Sequence, residues 1–142
     1  MTETLVNPKA ELSIPHQAEG VGYASAWLEK TCREFDVPAD EVYRLDICLN
    51  EALANVMDHG GMVSRPLPVC LQLDVRCNEA TVTISDPGVP FNPLLTPVKS
   101  MPETLADAEP GGLGILMIRN FSDSQQYLYS EGNNQLTFSV RW

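Results

Sequence analysis

The chain is poor in basic residues. It has 9 lysines and arginines against 19 aspartates and glutamates, a formal charge of −10 over 142 residues. That balance repels phosphate backbones, so direct nucleic-acid binding is not expected. No apolar run approaches the roughly 18–20 residues of a spanning helix, so no membrane association is expected either. Residues 1–10 have neither a basic start nor an apolar stretch of the kind that directs export, and the expected location is cytoplasmic. Histidine is scarce, at His16 and His59, and the four cysteines (Cys32, Cys48, Cys70, Cys77) form no Cys-x-x-Cys pair. Zinc requires clustered ligands, so a zinc site is not expected. Without an export signal an even cysteine count does not imply disulfides, and all four are read as small, mostly buried hydrophobes. What is present is ordinary for a folded protein: 44% hydrophobic and 20% charged residues, with no repeat, low-complexity tract or linker. The length predicts one domain, residues 1–142, able to bury about two-thirds of its unfolded surface.

Periodicity supplies the elements. Residues 10–14 read as a short extended piece ended by Pro15. Val21, Ala24, Leu28, Cys32 and Phe35 recur at helical spacing and predict a helix over 17–35, weakened in its first turn by Gly20 and Gly22. Pro38 breaks it and suits the first turn of the next helix. That second helix carries an apolar stripe, Val42, Leu45, Leu49, Ala52, Leu53 and Val56, and is expected to stop at Gly60-Gly61. Val69, Leu71, Leu73, Val75 and Cys77 alternate with polar residues as a half-buried strand. A turn at Asn78-Glu79 leads to a second, antiparallel strand through Ala80, Val82 and Ile84. Residues 92–110 include four prolines and no convincing period, and structureless loops beyond about 12–15 residues are usually functional or disordered. Leu113, Leu116, Met117 and Phe121 suggest a short helix. Strands at 125–129 and through Leu136, Phe138, Val140 and Trp142, joined by a turn at 131–134, close the chain. Helices on one face of a largely antiparallel sheet make an α+β two-layer sandwich.

Three short patterns could carry chemistry. Glu51 and Asn55 lie four apart and share a helix face, with Asp58 and His59 a turn further on. Alone, such a pair is ordinary solvated surface, and His59 would suit a helix C-terminus. The segment Asp86-Pro87-Gly88 follows a strand directly, where a plain turn would use the same residues. A carboxylate there could also accept a hydrogen bond from an exocyclic amine, which adenine offers at C6 and guanine does not. Gly111-Gly112-Leu113-Gly114 ends the long loop and opens a helix. It could be a flexible joint or an anion cradle of backbone N–H groups. It is neither a Walker A loop nor a dinucleotide-binding fingerprint.

Taken in this order, the polar helix face, the post-strand Asp-x-Gly, the long loop and the glycine-rich helix start resemble the N, G1 and G2 boxes of the histidine-kinase-like (GHKL) ATPase superfamily. Its members include gyrase B, the ninety-kilodalton heat-shock chaperones and the mismatch-repair ATPase. Within it the chain is most similar to the single-domain anti-sigma-factor serine kinases of bacterial stress and sporulation switches, over about residues 14–142. The resemblance implies a Bergerat-type sandwich that uses ATP and Mg2+. It implies Glu51 as general base, and Asn55 as the Mg2+ ligand of the nucleotide site. It implies Asp86 and Gly88 at the adenine, Gly112, Leu113 and Gly114 at the phosphates, and residues 92–110 as the ATP lid. Some relatives carry a basic residue where this chain has Leu113, so backbone amides are expected to supply more of the phosphate contact here. The implied activity is an ATP-dependent protein-serine kinase that phosphorylates an anti-anti-sigma antagonist and sequesters a sigma factor, commonly as a homodimer. The alternative is a nucleotide-binding interaction module without kinase turnover. The phospho-accepting helix pair of a sensor kinase is not expected within these 142 residues.

Overall fold

The structure, a computed structural model, describes residues 8–59, 67–95 and 112–142. Five strands, β1 (Lys9–Ile14), β2 (Val69–Arg76), β3 (Glu79–Asp86), β4 (Ser124–Ser130) and β5 (Asn133–Arg141), form one antiparallel sheet in the order β1-β2-β3-β5-β4. The helices α1 (Glu19–Glu34), α2 (Ala39–His59) and α3 (Gly112–Phe121) pack on one of its faces. This is the expected α+β two-layer sandwich.

The inward positions of β2 and β3, from Val69, Leu71 and Leu73 to Val82 and Ile84, are buried, as are Leu45, Leu49 and Leu53 of the α2 stripe and Phe138 of β5. The opposite face of the sheet is clothed in polar pairs instead: Gln72 donates to Glu11 at 2.9 Å, the Thr83 and Thr137 hydroxyls lie 3.2 Å apart, and Arg141 meets Glu79 at 2.8 Å. A one-sided antiparallel sheet shows this division.

Local chemistry sets the boundaries. Helix α1 starts at Glu19, two residues later than its pattern suggested. Gly20 is required there, because a Cβ would lie 2.7 Å from the Pro15 carbonyl oxygen. The helix ends in a Schellman motif, with Val37 N–H donating to Cys32 O at 2.9 Å and Asp36 N–H to Arg33 O at 3.3 Å. Asp36 takes the left-handed conformation, φ 60°, that glycine more often fills. Pro38 stands just before α2 and its carbonyl accepts from Glu41 and Val42, both at 3.0 Å. Residues 60 and 61, expected to stop α2, lie outside the described residues.

Several expectations are corrected. The β2–β3 turn is Cys77-Asn78, one residue earlier than expected, with Asn78 at φ 58°. The β4–β5 turn is only Glu131-Gly132, both at positive φ, so Asn133 and Asn134 belong to β5. Cys32 and Cys48 are buried, and burial pushes each thiol up to about 12, but Cys70 and Cys77 are exposed. Cys70 sits on the polar face of the sheet and Cys77 in a turn, so neither is a core hydrophobe. Helix α3 buries Ile115 and Ile118, whereas Leu116 and Met117 are only half-buried. In a sequence with apolar residues on nearly every side, composition does not say which side faces the core. The start of the 92–110 loop is ordered as a 3-10 turn, Pro93–Leu95, whose Leu94 N–H donates to the Asn92 side chain at 2.9 Å. Arg119 of α3 holds the Leu94 carbonyl at 2.5 Å. The rest of that loop lies outside the described residues.

Candidate nucleotide site

Helix α2 crosses the sheet with its apolar stripe down, which leaves Asn55 at the seam between helix and strands. Asn55 is 8% exposed, and its amide nitrogen has no hydrogen-bond partner among the described residues. A buried amide left unpaired costs about 1–3 kcal/mol, so the atom points to a ligand that completes it. Rotation about the last side-chain bond presents the oxygen in place of the nitrogen.

Strand β3 delivers Asp86 to the same seam. The two residues line one cleft, with Ala52, Val56, Ile84, Val89, Phe91, Pro93, Tyr127, Asn134 and Leu136 around them; its open space is about 30 Å³. The walls are apolar and aromatic with a few polar groups converging, as in small-molecule sites, but the open space is that of about one water, so a purine ring enters only if the walls part. Asp86 is 5% exposed. Burial pushes its carboxyl above the ordinary value, while the Gly88 N–H, the Asn134 amide and the charge of His16 pull it back. Gly88 N–H donates to Asp86 Oδ2 at 3.0 Å, closing the Asp-x-Gly turn on itself. His16, from the β1–α1 connection, donates from Nε2 to the Val56 carbonyl at 3.1 Å and so ties that connection to α2.

Glu51 is one turn before Asn55 on α2. It does not line the cleft but lies against the first turn of α3: a Cβ on Gly114 would come within 2.9 Å of Glu51 Oε2. Glycine at 114 therefore has a steric reason, close approach of a carboxylate, apart from any role with phosphate. Helix α3 begins at Gly112 and has no acidic residue in its first turn, so its N-terminal N–H groups present a partial positive end. The side chain of Leu113 is not among those described. Asn55 and Asp86 thus meet at one cleft, Gly88 reaches it through its bond to Asp86, and Glu51 meets Gly114 beside it.

One site residue escaped the sequence reading. Asn134, assigned there to a turn, sits in β5 directly opposite Asp86 and donates to its Oδ2 at 3.2 Å. An asparagine two residues after a glycine reads as turn chemistry, and only the strand register reveals its partner.

The histidine kinase-like ATPase domain family matches residues 14–140. The chain belongs to that family. It is 29% identical over 113 residues to the serine/threonine-protein kinase BtrW of Bordetella bronchiseptica, covering 80% of each chain. It is 22% identical over 125 residues to an anti-sigma F factor of Clostridium perfringens, covering 88% of this chain and 89% of that one. Among solved structures, the RsbU and RsbW domains of a Mycobacterium tuberculosis protein match this histidine kinase-like ATPase with a TM-score of 0.69 at 11% identity, over 94% of this chain and 32% of that one. The SiaB–SiaC complex of Pseudomonas aeruginosa matches with a TM-score of 0.59 at 11% identity, over 92% of this chain and 88% of that one. At such identity these two likenesses bear on the fold alone.

Proposed function

We propose that this histidine kinase-like ATPase is an ATP-dependent protein-serine kinase acting as an anti-sigma regulatory factor. It phosphorylates a small anti-anti-sigma antagonist and sequesters a sigma factor. The likeness to BtrW and to an anti-sigma F factor supports the reading. The observation that carries it is the unpaired Asn55 amide facing the same cleft as a buried Asp86, with Glu51 one helical turn away.

Each residue has a task that its position suits. Asp86 accepts from the adenine amine, and the apolar walls around it take the ring. The N–H groups opening α3 at Gly112, Leu113 and Gly114 receive the phosphates. Asn55 would hold magnesium through its amide oxygen; a metal that prefers oxygen ligands and keeps several waters and phosphates fits a site with one protein ligand. Bound magnesium supplies charge neutralisation on the phosphate oxygens. Glu51, held against α3 where the phosphates arrive, takes the proton from the incoming serine hydroxyl. Phosphoryl transfer asks chiefly for positioning and electrostatics, which these groups provide.

The protein works in the cytoplasm, as a homodimer in this reading; among the described residues no helix is long and apolar enough to cross a membrane. Incubation with radiolabelled ATP, magnesium and candidate antagonists tests the kinase. One phosphoserine on a small antagonist, followed by its release, is the expected result. Stable partner binding in ATP with no phosphate transferred would replace the kinase by a non-catalytic nucleotide-binding module.

A further inference from the structure

The end of β5 holds a hydrogen-bond arrangement that the kinase reading leaves unused. The Asn134 side chain is 6% exposed and makes four hydrogen bonds. Its Nδ2 donates to Asp86 Oδ2 at 3.2 Å and to the Val89 carbonyl at 3.0 Å. Its Oδ1 accepts from Phe91 N–H at 2.9 Å and from the Tyr127 hydroxyl. A primary amide has two N–H donors and two acceptor lone pairs, so this one is fully used. Its orientation is therefore determined: turned over, it would aim oxygen at a carboxylate and a carbonyl, and nitrogen at an N–H.

That orientation has a consequence for Asp86. With the Gly88 N–H at 3.0 Å and Asn134 Nδ2 at 3.2 Å, Oδ2 already receives two donors. Oδ1 takes no hydrogen bond among the described residues, and Asp86 lines the cleft. We propose that Asn134 sets the purine specificity of the site, by occupying Asp86 Oδ2 so that Oδ1 is left as an acceptor for a 6-amino group. Asn134 is a positioning residue, acting through Asp86, and the inference rests on the nucleotide-binding reading above.

The physical reason is the charge state of the carboxyl. An ionised Asp86 only accepts and so selects an amine. A protonated one can donate and tolerates the 6-carbonyl of a guanine. Burial favours the protonated form, and a fixed donor from Asn134 opposes it. The charged or titratable groups that act on this cluster are His16 from the β1–α1 connection and Tyr127 from β4, with Tyr129 beyond it. Asn55 from α2 and Asn134 from β5 are neutral. Among the described residues, only Asn134 both touches the carboxylate and bonds to Val89 and Phe91 in the wall of the cleft.

Asn134→Asp tests this. It keeps the shape and the acceptor for Phe91 N–H and Tyr127, but replaces the donor facing Asp86 with a second carboxyl. Affinities for ATP and GTP, with magnesium, are measured by calorimetry from pH 5.5 to 8 on this variant, the unsubstituted chain and Thr137→Ser. Thermal melts report folding. For Asn134→Asp the loss of ATP affinity on acidification should begin about one pH unit or more higher than in the unsubstituted chain. Its preference for ATP over GTP should fall about tenfold. Thr137→Ser, which lies on the opposite face of β5 beside Thr83 and away from the cleft, should keep the pH profile and the preference within about twofold. All three proteins see the same nucleotide titration, so the differences report on the site. If Asn134→Asp does not fold, Asn134→Ala takes its place with the same expected directions. A folded variant with unchanged profile and preference overturns the role of Asn134 while leaving the ATP site standing. Failure of the unsubstituted chain to bind ATP at all overturns both.

Discussion

At the residue scale, the proposed function divides work between groups four residues apart. Asn55 is buried with an unpaired amide, whereas Glu51 is half-buried and pressed against Gly114. Their substitutions should therefore separate. Glu51→Ala should lower phosphoryl transfer by about a hundredfold or more, in the range typical for a general base, with ATP affinity changed less than about threefold. Asn55→Ala should weaken magnesium-dependent ATP binding as well as turnover. Single-turnover transfer assays beside calorimetry check the split. Equal loss of binding in both variants would mean that Glu51 contacts the nucleotide and is not a proton acceptor. The local patterns Glu-x-x-x-Asn, Asp-x-Gly and Gly-x-Gly were legible because each uses neighbours in sequence. Asn134 was not, because its partner is 48 residues away and is met only through β3–β5 pairing.

At the element scale, an ionic joint holds α2, the end of α3 and the β4–β5 hairpin together. Arg44 of α2 donates to the Phe121 carbonyl at 3.0 Å and to Asp123 Oδ2 at 3.1 Å, and Arg141 N–H donates to the same oxygen at 2.6 Å. These donors, the Arg141 N–H first, hold the Asp123 carboxyl below its ordinary value of 3.8. A lowered carboxylate contributes stability above the unfolded value and loses it as pH falls through the folded one. Asp123→Asn should therefore melt at a lower temperature than the unsubstituted chain at pH 7. The gap should close as pH falls below about 4. Melting curves of both proteins across that range check it. A gap that persisted undiminished at low pH would assign the effect to lost packing. Asp86 has the opposite sign: its raised carboxyl favours the folded empty protein at low pH and opposes it at neutral pH. The α3 helix itself was legible from its apolar content, but its buried side was not, since Leu113, Ile115, Leu116, Met117 and Ile118 suit several faces.

At the scale of the whole molecule, the charge of −10 bears on partner exchange. In the proposed function, phosphorylation adds nearly two negative charges to the antagonist, and an acidic kinase should repel the product. Salt screens exposed charges, with a Debye length of about 10 Å at 0.1 M and about 3 Å at 1 M. The phosphorylated antagonist should thus dissociate faster than the unphosphorylated one, and the ratio of the two rates should shrink as salt rises. Surface-immobilised kinase with each antagonist form, from about 0.05 to 0.5 M salt, measures it. A ratio independent of salt would place the release mechanism in contacts at the phosphoserine itself.

Hydrophobic period, turn residues and glycine placement determined by themselves that the chain forms helices on one face of an antiparallel sheet, because each of those signals acts over a few residues. The family resemblance of three short motifs marked Asn55, Asp86 and Gly114, and each motif is local. Tertiary structure alone decided the strand order, which sets β5 between β3 and β4 and so brings Asn134 to Asp86. It alone decided that Cys70 and Cys77 are exposed, that α3 turns Ile115 and Ile118 inward, and that Glu51 meets Gly114. The reason is the same in each case. Which side of an element is buried, and which distant residue completes a hydrogen bond, depend on the neighbour against which that element packs, and that neighbour is not adjacent in the chain.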